Sequence, residues 1–207
     1  VGTIAAALLG SFVLAAVHAL APLVARLPER YLVQVASFSG GAGLAYVFLY
    51  QLFELAKFGA PKIHALLPLG PEPLETLFIL LLGALLANYL VQVVLESNPR
   101  QQDRYTGLAV SFLVYNFLAG GGLVDEARTA LNLAFYVSAL GLHLLFNDLF
   151  LSHMGNPAGH RCWRLALAAM PVAGCALAAA GLLSDPVQYA MLAVIAGGTL
   201  INVFRYE

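Results

Sequence analysis

The sequence predicts an all-α fold, a polytopic membrane helical bundle of seven transmembrane helices. Two observations carry that prediction. Of 207 residues, 61% are hydrophobic and only 10% are charged, whereas a soluble domain carries about a quarter charged residues. Seven apolar stretches each come near the roughly 20 residues that a span requires, at 3–24, 31–55, 74–95, 105–124, 131–153, 163–183 and 187–204. Together they use almost the whole chain, so residues 1–207 form a single transmembrane domain. Function must sit inside the bundle.

Composition narrows the partners. The net charge of −1 points to none, and no basic patch or aromatic-interleaved groove suggests nucleic acid. The lipid bilayer is the expected partner, and the small-residue faces would also allow a homodimer. Cys162 and Cys175 fall in one predicted helix, about 20 Å apart at 1.5 Å per residue. That is too far for a disulfide. Placing the N-terminus outside puts Arg26, Arg30, Arg100, Arg104, Arg161, Arg164 and Arg205 on the inner side. Only Lys57, Lys62 and Arg128 then lie outside, as the positive-inside rule favours. The plasma (inner) membrane is the expected location.

The first stretch has no basic leader and no clear signal-peptidase site, so it reads as a span. Its His18 lies near Pro22 and Arg26, where an imidazole is expected to reach interfacial water. The second span carries Ser37-Phe-Ser-Gly-Gly-Ala-Gly43, small residues that let helix backbones approach closely. Tyr46, Tyr50 and Glu54 follow at four-residue spacing and make one polar stripe that could line a cavity. Lys57 offers Glu54 a solvated ion pair at the outer interface.

Residues 58–73 hold Pro61, Pro68, Pro71 and Pro73, which predicts a long loop of turns and extended chain. The third span is plain except for Asn88 and Gln92, amides expected to stitch helices together. In the fourth, Gly120-Gly121-Gly122 should weaken or break the helix. The fifth begins after Asp125 and Glu126 and ends before Gly155-Asn-Pro-Ala-Gly-His160, which reads as a turn. Pro171 should kink the sixth span. The seventh includes Gly197-Gly198 and Asn202. Gly40-Gly41 in the second span echoes Gly197-Gly198, and such internal echoes occur in transporters built from inverted halves.

The densest polar content lies between Val110 and His153. Ser111, Tyr115 and Asn116 interrupt the fourth span, and His143, Asn147 and Asp148 interrupt the fifth. Such side chains are expensive in hydrocarbon and mark either a shared polar interior or a ligand site. His143 and Asn147 stand four residues apart on one helical face. Asp148 lies about 140° around the helix from His143.

Taken together, the spans resemble the ZIP (Zrt/Irt-like) family of divalent-metal transporters. Ala36 to Glu54 looks like the family's second helix, a small-residue run leading to a terminal acid. Tyr115-Asn116-Phe-Leu-Ala119-Gly120 looks like the fourth-helix motif, usually His-Asn-x-x-(Glu/Asp)-Gly. Leu142-His143-Leu-Leu-Phe146-Asn147-Asp148 looks like the fifth-helix motif, usually His-(Asn/Glu)-x-Pro-Glu-Gly. Ala196 to Glu207 looks like the seventh helix, and the family's eighth would lie beyond it.

The resemblance implies a metal centre between the fourth and fifth helices. Its candidates here are His143, Asn147, Asn116 and Asp148, with Tyr115, Tyr50 and Glu54 lining the pathway. The substrate implied is Zn²⁺ or another divalent metal. The chain departs from the motifs, with Tyr115 at the histidine position and Ala119, Phe146 and Asn147 where acid, proline and acid are usual. A set rich in amides would bind Zn²⁺ weakly, since zinc favours three or four His, Cys and carboxylate ligands.

Two functions follow as expectations. One is a ZIP-like carrier with its site between the fourth and fifth helices. The other is a non-transporting membrane scaffold, in which Tyr115 fills the former site and bonds His143 or Asn147. An enzyme is not expected, because His143 with Asp148 or Ser152 makes no convincing nucleophile–base pair.

Overall fold

The computed structural model describes residues 2–153 and 160–206. Seven helices are long and apolar enough to cross a membrane, as expected of a multi-pass membrane protein. They are α1 (Gly2–Val24), α2 (Glu29–Leu66), α3 (Pro73–Ser97), α4 (Gln101–Glu126), α5 (Ala130–His153), α6 (His160–Ala179) and α7 (Asp185–Tyr206). Large apolar side chains such as Phe38, Leu49 and Leu165 stand exposed around the periphery. Lipid would cover such a surface. Of the turn expected before α6, residues 155–159 lie outside the described residues, as does the terminal Glu207.

The connections between helices define a basic end, near Arg26, Arg100 and Arg161, and an acidic end, near Glu72, Asp125 and Asp185. α4 packs most closely on α6, which also packs on α1, and α1 continues the contact to α5. On the other side α7 lies against α3 and α4, and α2 reaches both α5 and α7. α7 is the most buried helix and α3 the least.

α2 departs furthest from expectation. The predicted loop over 58–73 shrinks to residues 67–72, because the helix continues to Leu66 through two π-helical turns, Val47–Gln51 and Leu55–Gly59. Pro61 follows directly on the second π turn, where the ladder changes from π to α spacing, and such π turns commonly accommodate an interrupted ladder. Glu72 and Glu75 then form a capping box that starts α3. This satisfies two of the free N–H groups at the helix end.

The three glycines at 120–122 do not break α4, which runs unbroken to Glu126. Gly120 serves an approach of backbones instead, while Gly121 and Gly122 make room for the side chains of Met191 and Leu192 of α7. A Cβ at Gly120 would overlap the Pro171 carbonyl of α6, and one at Gly174 would overlap the Phe117 carbonyl of α4. Pro171 itself stays inside a continuous helix.

Candidate functional site

The side chains that could do chemistry gather at two levels along α4. Toward the basic end, α1, α4 and α5 each contribute one buried polar residue: His18, Asn116 and Asp148, exposed by 1%, 1% and 6%. His18 Nδ1 lies 2.7 Å from Asp148 Oδ2, and its Nε2 lies 2.8 Å from Asn116 Oδ1. The Asn116 amide nitrogen donates to the Phe112 carbonyl at 2.8 Å.

These bonds fix the proton inventory. Reversing the Asn116 amide would set its oxygen against the Phe112 carbonyl, two acceptors facing each other. Asn116 Oδ1 therefore faces His18 and can only accept, so Nε2 carries a proton. One further proton lies between Nδ1 and the Asp148 carboxyl, whether as imidazolium and carboxylate or as imidazole and acid. The pair is neutral as a whole, which suits burial.

Asp148 also lines a cavity of about 290 Å³ at the basic end, with Tyr105, Ser152, Trp163 and Arg164. Ser152 bonds back to the Leu149 carbonyl at 2.7 Å rather than to Asp148. His18 is thus not the interfacial residue that its neighbours Pro22 and Arg26 suggested. It is the hub of the cluster, and its partners stand 98 and 130 residues away in sequence.

The four residues expected to form one metal centre divide instead. Asn116 and Asp148 turn toward α1. The His143 ring, fully buried, packs beside the Tyr115 ring with centroids 5.5 Å apart. Asn147, one turn further on, is buried with an amide nitrogen that has no hydrogen-bond partner among the described residues. The division follows from helix geometry, because adjacent residues such as Tyr115 and Asn116, or Asn147 and Asp148, point about 100° apart. Tyr115 bonds Thr199 of α7, not His143 or Asn147. Among the described residues, no group of three or more His, Cys, Asp or Glu could hold a metal ion.

Toward the acidic end, two of the three residues of the stripe on α2, Tyr46 and Tyr50, converge on one carboxyl group. The hydroxyls of Tyr46 and Tyr50 each donate to the Glu126 carboxylate at 3.3 Å, and their rings lie 5.4 Å apart. Glu126 is 2% exposed and sits at the C-terminus of α4, where the helix dipole disfavours negative charge. Tyr136, unremarked in the sequence, stacks edge-on against Tyr46 at 5.8 Å and donates to the Ala119 carbonyl at 2.7 Å.

Beside Glu126, Asp125 pairs with Arg128. Burial acts to lower the proton affinity of the Arg128 guanidinium, but Asp125, Tyr189, Asp185 and Glu54 together outweigh it and raise the group above its ordinary value. Glu54 does not pair with Lys57, which lies over the rings of Phe53 and Phe58. The amides of α3 divide too. Gln92 bonds Asn202 of α7, whereas Asn88 bonds back to the Ala84 carbonyl of its own helix.

No family model matches this sequence, and no curated protein or solved structure is significantly similar to it. The likeness to ZIP transporters therefore rests on the quoted stretches alone.

Proposed function

We propose that this protein is a proton-linked carrier of a divalent transition-metal cation, bound transiently at the His18–Asp148 pair. The observation that carries the reading is a buried carboxylate, bonded to a histidine from another helix, at the edge of a cavity open toward the basic end. Ionisable groups this deep in a membrane bundle are costly and mark ion or proton pathways.

A cation arriving from the cavity meets one proton between Nδ1 and Oδ2. Loss of that proton leaves an imidazole nitrogen beside a carboxylate, while Nε2–H keeps its bond to Asn116. Such a nitrogen–oxygen pair suits a first-row divalent metal better than an alkali ion. Two strong ligands hold a metal loosely, as release on the far side requires. Glu126 with Tyr46 and Tyr50, about 15 Å further along α4 at 1.5 Å per residue, would serve the opposite mouth. In this reading a ZIP-like chain has moved its binding centre from the α4–α5 pair to the α1–α5 pair.

The mutual bonding of His18, Asn116 and Asp148 favours the second reading, a scaffold whose polar residues only hold helices together. Reconstituted liposomes carrying a metal dye and a pH dye separate the two. The carrier reading expects uptake of at least one of Zn²⁺, Mn²⁺, Fe²⁺ or Cd²⁺ with opposite proton movement, lost in Asp148→Asn. Wild-type vesicles that pass none of these metals would leave only the scaffold.

A further inference from the structure

We propose that the crevice between α1 and α6 at the basic end is a binding site for the headgroup of an anionic phospholipid. The crevice holds about 430 Å³ and is lined by Arg161, Arg164, Leu165 and Ala168 of α6 facing His18 and Ala19 of α1. The four α6 residues follow the spacing i, i+3, i+4 and i+7, so they run down one helical face. Two guanidiniums lie at the end of that face and apolar side chains lie below them. Leu165, on the same face one turn beyond Arg161, is 73% exposed. A charged head above an apolar body matches an amphiphile with an anionic head.

Charge complementarity selects the occupant. From Leu149 to Ser184 the sequence contains no Asp or Glu, and α6 has no acid in its first turn. Arg161, exposed at the rim, forms no ion pair among the described residues. Arg164 also lines the neighbouring cavity that holds Asp148, and so stands between the two spaces. Phosphate oxygens match the planar fork of a guanidinium, and basic pockets between membrane helices are suited to lipid headgroups. A soluble phosphate would satisfy the arginines but leave the Leu165–Ala168 face uncovered.

The only tryptophan, Trp163, stands between the two arginines in sequence and reports on the site. Purified full-length protein in phosphatidylcholine nanodiscs is compared with nanodiscs containing increasing phosphatidylglycerol. A saturable change in Trp163 fluorescence is expected, weakened at least tenfold in Arg161→Gln/Arg164→Gln and largely restored in Arg161→Lys/Arg164→Lys. Arg161→Gln alone, at an exposed position, should weaken it several-fold, which keeps the test informative if the double variant does not fold. An equal response in the Arg161→Gln protein would overturn the proposal. So would a response that glycerol phosphate in solution reproduces, or none with phosphatidylglycerol.

Discussion

His18 of α1 and Asp148 of α5 meet at 2.7 Å with the imidazole 1% exposed, which joins two helices that share no stretch of sequence. Breaking a buried pair by removing one partner strands the other and costs about 3 to 5 kcal/mol. His18→Leu is therefore expected to lower stability by about 3 kcal/mol. The double variant His18→Leu/Asp148→Leu should recover much of that loss, because no uncompensated group remains. A double-mutant cycle from denaturant unfolding in detergent checks this, and additive losses would show that the two residues do not interact.

The glycines of α4 and α6 make a second prediction. Gly120→Ala and Gly174→Ala place a methyl group against backbone carbonyls of Pro171 and Phe117, which rigid helices cannot yield cheaply. Overpacking of this kind costs about 1 to 3 kcal/mol or more. Gly41→Ala and Gly83→Ala meet nothing within 4 Å and should be neutral or stabilising, since alanine is the better helix former by about 1 kcal/mol. Thermal unfolding of the four variants side by side tests the contrast.

These two relationships differ in how far the sequence reveals them. Span number and approximate position follow from apolar length alone, and the spacing of Tyr46 and Tyr50 correctly places both on one face. His18 stays hidden because its neighbours make it look interfacial and its partners lie 98 and 130 residues off. Only tertiary packing brings them together. The π turns in α2 leave no mark on hydrophobic periodicity, so Pro61 reads as a loop residue although the helix runs through it behind a π turn. The Gly120–Gly122 run has low helix propensity, but its backbone contact with α6 decides the outcome.

Cys162 and Cys175 test the membrane orientation. Cys162 is exposed at the basic end and Cys175 is buried. If the basic end faces inward, a membrane-impermeant maleimide should leave intact cells unlabelled and modify Cys162 once the membrane is opened. Cys175 should stay unmodified until the protein is denatured. Labelling of Cys162 from outside intact cells would reverse the orientation.

Glu126 makes the last prediction. Its carboxyl is buried at the negative end of α4 and bonded by Tyr46 and Tyr50 from α2. An intramolecular hydrogen bond contributes about 0.5 to 1.5 kcal/mol, and the 3.3 Å lengths here favour the lower figure. Tyr46→Phe should destabilise more than Tyr50→Phe, because the Tyr46 hydroxyl bonds Glu126 in a buried setting while Tyr50 is half-buried. If the hydroxyls act through Glu126, neither tyrosine substitution should add to the effect of Glu126→Gln by its full single-variant amount. A strictly additive cycle would assign the tyrosines a packing role alone, leaving the carboxyl free to bind or release its proton without them.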